Sequence, residues 1–299
     1  MRVAITGASG LIGSALAKLL RERGNEVVAV TRSPTPATTD IGWDPQQGFE
    51  PADVLSGCDA VVNLAGESIN GRWTARKKAR IMDSRLHATE AVVAGIAAAH
   101  PRPSVLINGS AIGLYGDAGD EELDEHSAPG ETFLAEVTSR WEAAARRVEV
   151  VDGAPVRLCL ARFGVVLAGT GGALPEMLTP FRLGLGGKIG SGRQWMSWIH
   201  VSDAAEALLF MLDNPEASGP YNVVAPNPAR NRDFSKTLGA VLGRPTIVRV
   251  PKLGVRLGLG EMGQALLLDG QRAVPARLLS AGFVFGFPEL RAALDNLLR

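Results

Sequence analysis

The chain has 299 residues with 31 basic and 31 acidic side chains, enough length to bury a full core and no overall charge that would call for nucleic acid or an anionic membrane as main partner. Its two cysteines, Cys58 and Cys159, stand far apart without a CxxC or His-rich context, which argues against a disulfide framework or a metal site and fits a reducing, cytoplasmic compartment. No stretch reaches the ~18 apolar residues of a spanning helix, and the N-terminal apolar run is cut by TGASG before a signal-peptide pattern forms.

Residues 2–6 (RVAIT) form a short apolar run, residues 12–23 carry helical spacing through Leu16, Leu19 and Leu20, and residues 26–31 (EVVAVT) are strand-like again. The alternation continues with a strand at 60–64, a long helix at 75–99, a strand at 105–108, a helix at 131–147 and a strand at 156–167. Strands alternating with helices predict a doubly wound α/β fold, in which a parallel sheet is covered on both faces. Beyond Leu167, AGTGGALPEMLTPFRLGLGGKIGSGRQ is rich in glycine with two prolines and reads as irregular and surface-lining. A helix is expected to start near Asp203, PYNVV reads as a strand, and RDFSKTLGAVLG reads as a helix ending at Gly243. The remainder has weaker helical patterning. These features divide the chain into a doubly wound α/β domain at 1–167, with return elements near 198–215, and a smaller lobe at 168–299.

Between the first strand and the first helix stands TGASGLIG, with Gly7, Gly10 and Gly13 three residues apart. Glycines in that place bring backbone N–H groups and the positive end of a helix dipole together, which suits a pyrophosphate. Gly7 is expected to allow the tight turn, Gly10 the approach of phosphate and Gly13 the close packing of helix on strand. The second strand ends in Thr31-Arg32-Ser33, where an NAD site places an acidic residue. Arg32 can pair with a 2′-phosphate and stack on adenine, so NADP(H) is the expected cofactor.

Three further features converge on the same crevice. NLAGE places the small stretch Leu64, Ala65 and Gly66 at a strand end, where a backbone can pass close to a ribose or nicotinamide. On the long helix Ile81, Ala88, Val92 and Ile96 define a buried stripe on which Arg85 also falls, and a charge on an apolar face needs a partner. Arg85 therefore reads as a cofactor or active-site residue, next to an exposed basic face of Arg72, Arg76, Lys77 and Lys78. Finally, NGSAIGLYGD brings the Ser110 hydroxyl and the Tyr115 phenol to that edge.

This combination resembles the extended short-chain dehydrogenase/reductase superfamily through TGASGLIG, NLAG, GSAIGLYGD, RFGVVLAGTGGAL and WIHVSDAAEAL. More narrowly it resembles the atypical epimerase family branch, which carries NLAGE, SRW followed by EAAAR, PFRLGLGGKIGSGRQ, WIHV and a short C-terminal domain of unassigned role. The resemblance implies an NADP(H) site lined by Gly7, Gly10, Leu11, Ile12, Gly13, Arg32, Leu64, Ala65, Arg85 and Val166; Ser9, Thr31 and Gly66 join them from the same loops. It also implies that the domain at 1–167 is a Rossmann domain and that the smaller lobe at 168–299, made from the Gly-rich middle and the C-terminal region, is a substrate lobe.

One departure bears on chemistry. Active members use a Tyr-x-x-x-Lys pair on the helix that here reads ETFLAEVTSRWEAAARR, in which Lys lowers the Tyr pKa for proton exchange. Its two positions fall at Phe133 or Leu134 and at Val137 or Thr138. Ser110 and Tyr115 are then the catalytic candidates, with Tyr115 as proton donor and Ser110 orienting the substrate, against a packing role for Tyr115. His200, ahead of a helix start, reads as structural more than as an acid or base. Arg182, Lys188 and Arg193 are candidate anion partners, and Trp195, Met196 and Trp198 suggest a flatter, more apolar ligand surface or lobe core.

Two functions stay open. One is an NADP(H)-dependent oxidoreductase or epimerase-like enzyme acting on a carbonyl or hydroxyl group of a small molecule, with a sugar nucleotide among the candidates. The other is a catalytically degenerate NADP(H)-binding sensor or protein-interaction module. A homodimer through the helices beginning near Ala75 and Glu131 is also left open.

Overall fold

The computed structural model describes residues 1–34, 39–153 and 155–299. Its first strand, β1 (Arg2–Thr6), is apolar toward both sides: Val3 and Ile5 enter one core and Ala4 the other. A strand buried on both faces belongs in the middle of a parallel sheet. The glycine turn leads into α1 (Leu11–Glu22), which returns the chain to β2 (Glu26–Thr31). The short strands β3 (Ile41–Asp44) and β4 (Gly48–Phe49) finish that edge, and β5 (Ala60–Asn63) crosses back beside β1.

The long helix α2 (Ala75–Ala98) starts at Thr74, whose side chain accepts from the Lys77 amide, and leads to β6 (Val105–Ala111). After a two-residue strand β7 (Glu122–Leu123), α3 (Phe133–Arg146) is capped in the same way by Thr132. Next come β8 (Arg157–Phe163) and β9 (Val165–Leu167). The second lobe opens with α4 (Ala173–Arg182) and β10 (Trp195–Met196), after which β11 (Trp198–His200) and α5 (Val201–Asp213) lead back to the sheet at β12 (Gly219–Val223). The rest comprises β13 (Ala229–Arg230), α6 (Asn231–Leu242), α7 (Lys252–Gly263), β14 (Arg272–Ala273), α8 (Ala276–Ser280) and α9 (Leu290–Leu298).

The main sheet has eight strands in the order β12-β8-β6-β5-β1-β2-β3-β4, parallel except for β3 against β4. Helices α1 and α5 cover one face, α2 and α3 the other. Strand order reverses between β1 and β5, and the crevice outside the carboxyl ends of such a pair is where a doubly wound sheet binds ligands. A separate core, built on Leu174, Leu178, Phe181, Trp198, Phe234 and Leu294, fills the second lobe.

Local differences from the sequence reading have physical causes. Strands β3 and β4 are too short for a period to show. The run at 156–167 is two strands, because at Gly164 the chain leaves the main sheet and a Cβ there would lie 2.5 Å from the Ser197 carbonyl oxygen. The Gly-rich stretch contains a ten-residue helix, α4, despite Pro180 inside it. The return to the large sheet runs past residue 215, to β12.

Candidate functional site

The turn between β1 and α1 is shaped by atoms that leave no room for side chains. Gly7 has φ +67°, a conformation glycine adopts freely. A Cβ on it would come within 2.8 Å of the Leu64 carbonyl oxygen, and one on Gly13 within 2.2 Å of the Gly7 carbonyl oxygen. Gly10 is exposed and is the N-cap of α1 with no side-chain hydrogen bond there. The first-turn amides are therefore not capped by that side chain, a cradle that fits a pyrophosphate. Ser9 is exposed beside it, Leu11 and Ile12 are half-buried, and Leu11 Cδ2 lies 2.8 Å from where a Cβ of Gly172 would stand. The loop after β9, which carries the half-buried Val166, thus leans over the glycine turn. At the end of β2, Arg32 is exposed, next to the half-buried Thr31, whose hydroxyl accepts from the Ser33 amide at 3.3 Å.

Across the switch point, the Leu64-Ala65-Gly66 backbone is held from below. The Thr6 hydroxyl donates to Asn63 Oδ1 at 2.6 Å and accepts from the Leu64 and Ala65 amides at 3.1 and 3.2 Å. Asn63 Nδ2 donates to Asn108 Oδ1 at 2.7 Å and to the Thr89 hydroxyl at 3.0 Å, which Trp141 Nε1 also reaches. Thr6, Asn63 and Asn108 are register partners on β1, β5 and β6, so they form one buried polar row under the crevice. Arg85 stands above it. Its guanidinium donates to the Glu67 and Ile81 carbonyls at 3.0 Å each, lies 5.2 Å from the Trp141 ring, and packs on Gly66. Burial pulls its pKa down to about 10, so it remains charged at neutral pH. Of the four cations expected on an exposed face, Lys77 instead pairs with Glu67 and Lys78 with Glu261.

Two residues further along the strands lies a second buried row, Ser110, Arg162 and Asn222, again register partners, on β6, β8 and β12. Here the groups are charged. Arg162 grips Glu142 of α3 with two contacts of 2.7 and 2.9 Å, and the Ser110 hydroxyl donates to the same carboxylate at 2.6 Å. Arg162 Nη1 donates to the Tyr115 hydroxyl at 2.9 Å, and that hydroxyl donates to Asn222 Oδ1 at 2.7 Å. Tyr115 is 4% exposed. Burial raises its pKa, against the lowering effect of Arg162.

Ser110 and Tyr115, the expected catalytic pair, thus sit in one buried network. Both hydroxyls are committed inside the network, and the donor capacity of Tyr115 is already used. On α3, Leu134 abuts Gly113 at the end of β6, Phe133 packs edge-on against Trp73, and the Thr138 hydroxyl turns back to the Leu134 carbonyl. Sequence reading missed Glu142, Arg162 and Asn222. For Arg162 and Asn222 the available signal was a polar residue near the carboxyl end of an otherwise apolar strand.

The residues of the second lobe separate by role. His200 caps α5, its Nδ1 accepting from the Ser202 amide, and stacks on Phe287 at 4.0 Å. Trp198 is fully buried, whereas Trp195 lies under the Arg230 guanidinium at 4.3 Å and donates to Asp120. A cavity of about 300 Å³ opens beside the start of α3, lined in part by Trp73, Thr132, Leu134, Gln264 and Asp269. Asp269 accepts a hydrogen bond from Gln264, and burial raises its carboxyl pKa.

Residues 3–224 match the model of the NAD dependent epimerase/dehydratase family. The chain belongs to that family. Residues 250–297 match a second model, a domain of unknown function. Among the family's members, the epimerase family protein YfhF of Bacillus subtilis is 39% identical over 303 residues, covering 100% of this chain and 98% of the relative. The Homo sapiens protein SDR39U1 is 40% identical over 301 residues, 99% of each. A crystal structure of human SDR39U1 with NADPH superposes with a TM-score of 0.91 at 39% identity, covering 99% of both chains. A nucleoside-diphosphate sugar epimerase from Corynebacterium glutamicum gives 0.83 at 35% identity, covering all of this chain and 58% of that one.

Proposed function

We propose that the protein binds NADP(H) in the crevice above β1 and β5 and acts as an oxidoreductase or epimerase-like enzyme on a small carbonyl- or hydroxyl-bearing molecule. The observation that carries the cofactor reading is the pairing of the glycine cradle with Arg32, where an acidic residue would repel a 2′-phosphate. The NADPH in the crystal of the human relative supports it. Bound nicotinamide supplies two-electron redox chemistry. The chain's own residues bind and orient: the α1 amides take the pyrophosphate, Arg32 the 2′-phosphate, and the Thr6–Asn63 pair holds the Leu64-Ala65 backbone against the ribose side. With Ser110 and Tyr115 engaged in that network, we assign the proton exchange to Asp269, which lines the cavity beside Leu134 together with Glu131 and Glu261 and whose carboxyl burial holds above the ordinary range.

The second reading is an NADP(H)-binding sensor or interaction module. It is favoured by Phe133 packing on Trp73 and Leu134 abutting Gly113, the two positions at which the tyrosine of an active relative is expected, and by the buried Ser110–Glu142–Arg162–Tyr115 network.

Calorimetric titration with NADPH and NADH, beside Arg32→Ala, tests the cofactor. Tighter binding of NADPH is expected, with the preference lowered about tenfold or more in the variant, as for lost charge-assisted bonds. Equal binding of both cofactors by the native chain would sink the assignment of Arg32. Oxidation of NADPH across a panel of carbonyl and sugar-nucleotide compounds then separates the readings. Turnover that is lost in Asp269→Asn, with NADPH affinity kept, supports the enzyme; no turnover on any compound supports the sensor.

A further inference from the structure

Six of the large apolar side chains left exposed fall in two segments of the second lobe: Leu183, Leu185, Ile247, Leu253, Leu257 and Leu259. Four are the most open to solvent, at 69% for Leu183, 87% for Ile247, 66% for Leu253 and 76% for Leu257. The two segments run side by side. The Val250 amide donates to the Lys188 carbonyl at 3.0 Å, the Gly190 amide to the Val250 carbonyl at 2.8 Å, and Gly187 packs against the Val248 backbone. Because Ile189 and Val250 pair in parallel, Leu183 and Leu185 run beside the stretch that carries Ile247, and α7 with Leu253 and Leu257 continues from the other end of the same stretch.

Charge is segregated on the same surface. Between 177 and 202, and again between 244 and 260, the sequence contains no Asp or Glu. It contains Arg182, Lys188, Arg249, Lys252 and Arg256 there, so these two segments carry cations without acids of their own; the carboxylate of Asp269 lies within electrostatic reach of Lys252 and Arg256, and Arg256 Nε donates to Gln264 at 2.8 Å. On α7 the two kinds of side chain form parallel stripes, Leu253 with Leu257 and Lys252 with Arg256, each pair four residues apart. Val255 turns inward and is buried. Gly254 and Gly258 have open space around them and Gly260, at φ +60°, breaks the helix, so the leucines stand clear of neighbours.

We propose that this face is a peripheral docking surface for an anionic lipid bilayer, the leucines entering the headgroup boundary and the flanking cations meeting lipid phosphates. Projecting aliphatic side chains rimmed by Lys and Arg are the chemistry of an interfacial helix. A protein partner needs a complementary groove or pocket, whereas leucines isolated by glycines suit a fluid phase that conforms to them. A second copy of this chain would set the cation stripes against each other. Among the described residues no helix is long and apolar enough to cross a membrane, so the contact lies on the surface. This departs from the expectation of no membrane partner, which rested on net charge, and it is independent of the cofactor reading.

Flotation of the full chain with vesicles of phosphatidylcholine alone, and of phosphatidylcholine mixed with phosphatidylglycerol, tests it. Binding to the mixed vesicles is expected, weakened by added salt. It is expected to fall about tenfold or more in Leu253→Asn/Leu257→Asn, in Lys252→Glu/Arg256→Glu, and in Leu183→Asn/Leu185→Asn on the neighbouring segment. Thermal melts confirm that these surface variants fold. Absence of flotation with the mixed vesicles, leucine variants that float as well as the native chain, or a leucine-dependent dimer in sedimentation velocity overturns the proposal.

Discussion

The two ends of the crevice are built from opposite materials. At the ends of β1 and β2 the surface is backbone and glycine, with Gly10 carrying no cap and Arg32 exposed. At the ends of β6, β8 and β12 the polar side chains are turned on one another, with Ser110 on Glu142, Glu142 on Arg162, and Tyr115 between Arg162 and Asn222. Groups left without internal partners are available to a ligand; groups satisfied inside the protein hold elements together. The first end reads as a binding surface, and the second as a clamp joining α3 to three strands.

That contrast predicts a graded set of effects. Arg162→Met leaves Glu142 buried without its cation and is expected to cost about 3–5 kcal/mol in urea unfolding, while Arg162→Met/Glu142→Leu recovers much of the loss. A cost within error of zero for the single change would show that the clamp does not hold α3. Gly13→Ala strikes the other end. Its Cβ would meet the Gly7 carbonyl oxygen at 2.2 Å, so α1 must shift, with about 1–3 kcal/mol lost and NADPH affinity lowered in calorimetry. Unchanged affinity would separate the glycine turn from the cofactor. Tyr115→Phe is the smallest, about 1–2 kcal/mol from two lost hydrogen bonds, with NADPH binding intact. Should it instead abolish turnover while stability is kept, Tyr115 returns as the proton donor.

The parallel α/β layering was legible because most strands of the main sheet are buried on both faces and separated by amphipathic helices, a pattern that survives in a single sequence. The glycine turn was legible for a related reason: Gly7 and Gly13 are fixed by steric contact within a few residues or across one strand. The second polar row was not. Ser110, Arg162, Asn222 and Glu142 lie far apart in the chain, and only sheet register sets them side by side. Arg162 inside RLCLARF gave a local hint, a cation in an apolar strand, without naming its partner. Net charge says little here, since a sum over 299 residues cannot show where cations gather.

Asp203, in the first turn of α5, is buried, and its two carboxylate oxygens accept from the amides of Gly286 and Phe287 at 2.9 Å each. Phe287 stacks on His200, whose Nε2 lies 3.2 Å from Asn296 Oδ1. This corner is one of several places where the segments matched by two separate family models are joined, β14 pairing with β7 and Ser197 bonding Ala273 being others, so neither is a free-standing cassette. A gene truncated before residue 250 would encode a chain with an orphaned carboxylate at the start of α5 and a bare core where Leu294 now sits. Asp203 is thus as much a residue of the tail as of the helix that carries it.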